Sequence, residues 1–283
     1  PDDGADVDLL LRNADIALYA AREEGRNNYR FFSKEMNARL LERLAIELDL
    51  RKALERDELL LHYQPQVESL TGKVVAFEAL VRWEHPKKGL VPPFKFIDVA
   101  EETGLIIPLG EWVMRAACEQ AKSWHRAGFA EMRVSVNIAS QQLTESDLVA
   151  TVQRVLESTG LDGAHLEVEL TESSLMSDVE ATTQTLWNLK NIGLSLAVDD
   201  FGTGYSSMAY LKRFPLDALK IDRSFVRDLN VDANDAAIAK AVIALAKALD
   251  LSTVAEGVEE VEQLVFLREL GCDLIQGYYF GRP

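Results

Sequence analysis

The 283-residue chain contains few sulfur and imidazole groups, and this shortage excludes two kinds of protein. Two cysteines, Cys118 and Cys272, are too few for a disulfide framework, and neither has a Cys or His neighbour at metal-site spacing. The four histidines show no ligand spacing either. We therefore expect a protein of a reducing compartment without a zinc-type site.

Positive charge is also scarce. The chain has 30 Lys and Arg residues against 46 Asp and Glu residues, so its formal net charge is −16. Non-specific binding to duplex DNA needs Lys and Arg to neutralise phosphates, and anionic membranes attract basic segments. The composition therefore argues against duplex nucleic acid and anionic lipid as partners.

No long apolar run is present. The most apolar stretch, residues 236–251, is interrupted by Lys240, Lys247 and Asp250, which indicates an amphipathic helix and not a membrane span. No basic segment followed by a short apolar stretch opens the chain, so no signal peptide is predicted and a cytoplasmic location is expected. The chain begins at Pro1 and not at Met, which leaves room for a membrane anchor upstream in a longer protein.

Two helices are predicted before the main domain. Residues 1–32 have the pattern of a helix closed by Gly25 and a short extended piece, which is too little for a core of its own. Apolar positions of this helix are Leu11, Ala14, Leu18 and Ala21. Ser33 is a candidate N-cap for a linker helix over residues 33–56, in which Leu40, Leu44 and Leu48 share a face.

From residue 57 to 283, short β-rich runs alternate with amphipathic stretches, as in an α/β fold with mostly parallel strands. The eight strand candidates are LLLHYQPQV, KVVAFEALVRW, MRVSVNIA, LEVELTE, LSLAVDDF, ALKID, STVAEGV and DLIQGYYF. Helices are predicted over residues 109–127, 145–158, 176–192 and 235–249.

The connection between the first two strands decides the architecture. Residues 68–72 are too few for a helical crossover, so these strands should be antiparallel. We predict a (β/α)₈ TIM-like barrel with its first strand antiparallel, preceded by N-terminal helices. A doubly wound open sheet is the alternative, but no GxGxxG sequence opens a helix here.

Acidic residues lie inside or at the ends of these apolar strands, where an unpaired charge is costly. They are Glu78, Glu169, Glu172, Asp199, Asp200, Asp222 and Glu256, and Asn137 has the same kind of position. In a barrel, the C-terminal strand ends meet at the mouth that holds the active site. Carboxylates gathered there repel one another without cations, and oxygen ligands suit Mg²⁺ or Mn²⁺. We expect a metal pair that acts on a phosphoryl group, with Lys220 orienting water or offsetting phosphate charge.

Some of these residues have an equally good structural interpretation. A salt bridge from Asp222 to Lys220 or Arg223 is as plausible as a role in the site. Glu172 is expected to support the following glycine loop and not to bind metal. Glu259 has two interpretations, a residue that supports the site from behind its ligands and a charge in the first turn of a helix, and the second is favoured.

Eight sequence motifs occur in a fixed order over residues 59–283. They are YQPQ, FEALVRWEHP, SVNIAS, ELTES, DDFGTGYSS, LKIDRSFV, AEGVE and QGYYFGRP. Together they resemble the EAL-domain phosphodiesterases, which hydrolyse cyclic di-GMP. The earlier stretch LLRNADIALYAAREEGRNNYRFF resembles the C-terminal end of the GGDEF family of diguanylate cyclase domains, but the signature loop is absent, which excludes cyclase activity from this chain.

The resemblance implies three segments: a GGDEF-like remnant at residues 1–32, a linker helix at 33–56 and an EAL phosphodiesterase barrel at 57–283. It implies metal ligands at Glu78, Asn137, Glu169, Asp199 and Asp200. It implies that Lys220 and Glu256 position or activate the attacking water, and that Glu172 holds the loop over residues 200–207. The substrate-side residues it implies are Gln64, Leu80, Arg82 and Gln276, with the planar fork of Arg82 suited to a phosphate.

The implied activity is Mg²⁺- or Mn²⁺-dependent hydrolysis of cyclic di-GMP to linear pGpG, which lowers a bacterial second messenger. A homodimer, and upstream GGDEF and sensor domains in the full-length protein, are implied as well. Two alternatives stay open: a receptor that binds cyclic di-GMP without cleaving it, and a glycosidase on a similar barrel. The complete ligand set argues against the receptor, and Asn137, Lys220 and the adjacent Asp pair argue against the glycosidase. Asp98 replaces a proline that is common in the family, on a predicted helix where no catalytic consequence is expected.

Overall fold

The computed structural model of the chain describes residues 6–23, 28–204 and 211–283. The strands are β1 (Leu59–Glu68), β2 (Val74–His85), β3 (Gly89–Val91), β4 (Arg133–Ile138), β5 (Leu166–Thr171), β6 (Ser195–Phe201), β7 (Ala218–Ile221), β8 (Ser252–Ala255) and β9 (Leu274–Gln276). The helices are α1 (Val7–Glu23), α2 (Lys34–Ala53), α3 (Ile97–Glu102), α4 (Ile106–Arg126), α5 (Ser140–Thr144), α6 (Leu148–Thr159), α7 (Glu172–Met176), α8 (Val179–Ile192), α9 (Arg223–Arg227), α10 (Ala233–Ala248) and α11 (Val261–Leu270). The expectations for Gly25 and for residues 205–207 lie outside the described residues.

Eight of these strands close into a barrel in the order β1-β9-β8-β7-β6-β5-β4-β2, because β1 also pairs with β2. Strand β1 is antiparallel to both of its neighbours, and the other neighbours in the ring are parallel. The predicted barrel with a reversed first strand is therefore confirmed, and the open sheet is wrong. The short strand β3, which was not predicted, pairs antiparallel with the end of β2.

The apolar core lies between the barrel wall and the helices, and the alternation of strand side chains places it there. In β5, Leu166, Val168 and Leu170 have no exposed surface and belong to this core. Glu169 has the opposite parity and reaches Lys220 of β7 instead. The two faces of β5 thus have different roles: one face packs in the apolar core, and the other points into the barrel interior.

The linker helix begins where the sequence predicts and turns a different face to the barrel. Ser33 caps α2, since its Oγ accepts a hydrogen bond from the backbone N–H of Met36 at 3.3 Å. The buried residues of α2 are Ile46, Leu50 and Ala53. By contrast, 47% of Leu44 and 59% of Leu48 are exposed, so the shared leucine face points away from the barrel.

Three other local predictions need adjustment. The helix predicted over residues 176–192 is broken, because Asp178 caps α8 by accepting a hydrogen bond from the N–H of Ala181 at 3.1 Å. The helix predicted from residue 145 begins at Leu148, after its cap Asp147. Residues 28–33 form no regular strand. Within the described ranges, none of the helices is long and apolar enough to cross a membrane.

Candidate active site

The centre of the barrel mouth is the ammonium group of Lys220, on β7. Its side chain has no exposed surface, although it carries a charge. Carboxylates from several strands surround it. The oxygens facing its Nζ are Glu169 Oε2 at 2.7 Å, Asp199 Oδ2 at 3.2 Å, Glu78 Oε2 at 3.8 Å and Glu256 Oε1. The structure thus brings together five of the residues predicted for the site.

Negative charge is in excess in this cluster, since one lysine faces four carboxylates. Burial alone would lower the pKa of Lys220, but the carboxylates, Glu169 foremost, hold it well above its ordinary value. Burial raises the pKa of Glu256 to about 8, although Lys220 opposes the shift. Protons or additional cations are therefore needed to balance this site.

Amide side chains hold Glu78 from both sides. Asn137 Nδ2 donates to Glu78 Oε1 at 2.7 Å, and Gln276 Nε2 donates to Glu78 Oε2. The same Nε2 donates to Gln64 Oε1 at 3.0 Å, and Gln64 Nε2 donates in turn to the carbonyl of Gly281 at 3.3 Å. Burial would raise the pKa of Glu78, but Lys220 and these donors lower it.

Gln66 is a site residue that the sequence analysis did not identify. It is 1% exposed, and its Nε2 donates to Glu169 Oε1 at 3.4 Å. The signal was present in the YQPQ motif, because Gln64 and Gln66 are two residues apart and so share one face of β1. That face is the barrel interior.

The adjacent aspartates occupy a turn in the backbone at the end of β6. Asp200 has a φ of +54°, an uncommon value for a residue other than glycine, and its N–H donates to Asp199 Oδ1 at 2.9 Å. Carboxylate oxygens of Asp199, Asp200 and Glu256 lie within 4.8 Å of one another. Burial, with Asp199 and Asp222 adding to it, raises the pKa of Asp200 to about 6.

Asp222 and Glu172 have positioning contacts. Asp222 caps α9, because its Oδ1 accepts from the N–H of Ser224 at 3.0 Å, and among the described residues no salt bridge joins it to Lys220 or Arg223. Glu172 Oε2 accepts from the N–H of Gly202 at 3.0 Å. The loop passes so close that a Cβ on Gly204 would lie 2.7 Å from Glu172 Oε1.

A cavity of about 240 Å³ opens above the cluster. Its lining includes the predicted residues Gln64, Glu78, Leu80, Asp199, Glu256 and Gln276, together with Arg223, Glu259 and Tyr278. Glu259 precedes α11 and faces this cavity, so its interpretation as a helix-turn charge is wrong. Among the described residues that line this cavity Arg82 does not occur, but it interacts electrostatically with Tyr278 and Glu78, which do, and burial lowers its pKa.

Fold and site together define a (β/α)₈-type barrel whose mouth carries an acidic, oxygen-rich centre around one lysine. The sequence matches the family model for the EAL domain over residues 47–283. The chain belongs to the EAL domain family.

Relatives named for cyclic di-GMP metabolism cover the whole chain. It is 48% identical over 283 residues to the cyclic di-GMP phosphodiesterase NbdA of Pseudomonas aeruginosa, with 100% of the chain and 36% of that protein aligned. It is 47% identical over 283 residues to the bifunctional diguanylate cyclase/cyclic di-GMP phosphodiesterase MucR of the same organism, with 100% of the chain and 41% of that protein aligned. The chain thus spans less than half the length of these curated relatives.

A solved structure extends the similarity to three dimensions. The PaMucR phosphodiesterase in its c-di-GMP complex superposes with a TM-score of 0.82 at 46% identity, over 84% of this chain and 97% of that one. The barrel described above is therefore the fold of a solved EAL relative.

Proposed function

We propose that this chain is a divalent-metal-dependent phosphodiesterase that hydrolyses cyclic di-GMP to linear pGpG and so lowers a bacterial second messenger. The observation that carries the proposal is the cluster of four carboxylates around Lys220 at the barrel mouth. Its relatives support the substrate, because NbdA is named for this activity and PaMucR is solved with c-di-GMP.

The donor atoms of the cluster fit a pair of Mg²⁺ or Mn²⁺ ions. They are oxygens, which these ions prefer, and their negative charge exceeds what Lys220 can balance. The proposed ligands are Glu78, Asn137, Glu169, Asp199 and Asp200. When bound, the ions would supply Lewis-acid stabilisation of the charge on the phosphoryl group.

The protein's own groups would position water and substrate. Lys220 can orient the attacking water, and Glu256, whose Oε1 faces Lys220 Nζ, can accept a proton from that water. Water adds across one phosphodiester: a new P–O bond forms, the P–O3′ bond breaks and the 3′ oxygen takes a proton. Glu172 would be a positioning residue for the loop. The proposed substrate contacts are Gln64, Leu80, Arg82 and Gln276.

Product analysis tests this function. The chain is incubated with cyclic di-GMP and Mg²⁺ or Mn²⁺, and nucleotides are separated by chromatography. We expect pGpG from the wild type and from Glu84→Gln, an exposed acid on β2, but a loss of at least about 100-fold for Glu78→Gln on the same strand. Equal activity of the two variants would contradict the assigned site.

Binding without turnover is the outcome that would favour a receptor. Calorimetry with cyclic di-GMP, first in metal-free buffer and then with Mn²⁺ restored, separates the two cases. Tight binding with no pGpG in either buffer would contradict the enzymatic proposal and support the receptor. Hydrolysis of glycosides in the presence of EDTA would instead support the glycosidase alternative.

We further propose that residues 1–32 are the end of a GGDEF-like domain, linked by residues 33–56 to an EAL barrel at 57–283. The alignment of the whole chain with the bifunctional MucR supports this division. The proposal also includes upstream GGDEF and sensor domains in the full-length protein and a homodimer. It places the barrel in the cytoplasm, with any membrane anchor upstream in a longer protein. Sedimentation of the chain with and without cyclic di-GMP tests the dimer.

A further inference from the structure

The rim of the mouth contains an arginine to which the sequence analysis gave no role in the site. Arg223 is the first residue of α9, directly after the cap Asp222, and its side chain is exposed. It lines the same cavity as Glu78, Asp199 and Glu256. Among the described residues, no carboxylate forms an ion pair with its guanidinium, so the group is available to a ligand.

The position of Arg223 is fixed by close packing against the loop that follows β8. Gly257 has a φ of +70°, and a Cβ there would lie 2.6 Å from the Cβ of Arg223. Gln263 then ties this loop to α9: its Oε1 accepts from the N–H of Glu259 at 2.8 Å, and its Nε2 donates to the carbonyl of Arg227 at 3.0 Å. These contacts therefore hold the backbone that carries Arg223 in place at the rim.

Arg223 and Arg82 lie on opposite sides of the mouth. In the closed strand order, β1, β9 and β8 separate β2 from β7 on one side, and β4, β5 and β6 separate them on the other. Arg82 is on β2, and Arg223 follows β7. Strands β2 and β7 also carry Glu78 and Lys220, which face each other in the acidic cluster, so the cluster lies between the two arginine positions.

Charge and size favour a phosphate as the partner of Arg223. Of the described residues that line the cavity, Arg223 is the one cation, whereas four are acids: Glu78, Asp199, Glu256 and Glu259. The cavity of about 240 Å³ is smaller than the roughly 300–1,000 Å³ that enclose whole ligands, so part of a cyclic dinucleotide must extend over the rim. A cyclic dinucleotide carries two phosphodiesters, and only one can be attacked at a time.

Resting on the function proposed above, we propose that Arg223 binds the second, uncleaved phosphodiester of the substrate. Its planar guanidinium can donate two hydrogen bonds to the non-bridging oxygens. The scissile phosphodiester then lies over the cluster around Lys220 while the other is held at the rim. Arg223 is thus a specificity residue that favours ligands with two phosphates.

Steady-state kinetics with cyclic di-GMP test the contact. For Arg223→Ala we expect KM to rise about tenfold with kcat within about twofold of the wild type, since one charge-assisted contact outside the reacting centre is lost. Arg223→Lys keeps the charge and should recover most of the affinity. The matched control is Arg227→Ala, an exposed arginine on the same helix that pairs with Asp228.

Salt dependence gives a readout that a purely structural role would not move. Calorimetry of cyclic di-GMP with Ca²⁺ present, between 50 and 200 mM NaCl, should show that the affinity of Arg223→Ala depends less on salt than that of the wild type, because an ionic contact has gone. A KM equal to that of Arg227→Ala overturns the proposal. So does a weakened variant with unchanged salt dependence, which would indicate a contact to guanine. Wild-type chain that neither binds nor cleaves cyclic di-GMP would refute the proposed function itself.

Discussion

The ammonium of Lys220 lies 2.7 Å from Glu169 Oε2, and neither side chain has any exposed surface. A buried pair of this kind stabilises a fold little by itself, but the loss of one partner leaves an uncompensated charge. Here the loss would leave four carboxylates facing one another. The lysine is therefore the internal counter-ion of the site as well as a group with a proposed role in hydrolysis.

Replacing Lys220 with alanine should destabilise the protein when divalent ions are absent. The expected cost is about 3–5 kcal/mol, which corresponds to a fall in Tm of roughly 10 °C for a chain of this size. Melting in EDTA measures the fall, and Mn²⁺ should restore part of it. Lys52→Ala, which removes an exposed pair with Asp49, should change Tm by about 2 °C or less. A Lys220→Ala variant as stable in EDTA as the wild type would contradict the counter-ion role.

Replacing Gln66 with leucine should weaken metal binding. Glu169 would lose the amide donor that orients its Oε1, and loss of such supporting contacts typically costs about 10–100-fold in metal affinity. Isothermal titration calorimetry with Mn²⁺ measures the change in metal affinity. Gln184→Leu, an exposed glutamine on α8, is the control and should bind Mn²⁺ like the wild type.

Removal of the Glu172 carboxylate should release the loop that follows β6. Glu172→Ala takes away the acceptor for Gly202 N–H and leaves space beside Gly204, so the adjacent Asp199 and Asp200 lose a fixed backbone. We expect kcat to fall at least about tenfold, with a smaller change in Tm. Glu180→Ala, an exposed acid in the first turn of α8, should keep its activity. Similar kcat values for both variants would argue against the positioning role.

The contribution of His165 to stability should fall in mild acid. Burial and the neighbouring His125 lower the pKa of His165 from 6.5, while Asp162 and Glu131 oppose the shift and Arg133 adds to it. Below pH 6.5 the unfolded chain therefore binds this proton more readily than the folded one, and the contribution of His165 to the free energy of unfolding decreases as pH falls. In urea titrations between about pH 7 and 5, the free energy of unfolding of His165→Gln should decrease less, or increase more, than that of the wild type as pH falls. Equal pH dependences of the wild type and the variant would contradict this contribution of His165.

Much of the site could be predicted because it follows strand periodicity and ordered motifs. Carboxylates within apolar strands, such as Glu169 between Val168 and Leu170, have little reason to be there except to face a polar interior. The antiparallel start also followed from the short link after β1. These features depend on local sequence alone.

Other features depend on tertiary packing, which periodicity does not contain. The leucines of α2 share a face, yet the helix packs through Ile46 and Leu50, because the contact with the barrel decides which face is buried. Arg223 has the appearance of an ordinary helix residue in LKIDRSFV, and only the structure shows that it lines the cavity and packs against Gly257. The break before α8 lies at Asp178, a residue type that caps helices, but the apolar pattern continues on both sides of it, so periodicity alone predicts one helix there.

The reversal of β1 determines where the linker helix meets the barrel. Because β1 runs from the mouth to the floor, the preceding α2 arrives at the mouth, where Asp49 Oδ2 lies 3.3 Å from His85 Nε2 at the end of β2. The same strand carries Glu78 and Arg82. The linker helix thus contacts the same strand that holds both a proposed metal ligand and a proposed substrate contact, so a displacement of the linker would act on that strand directly.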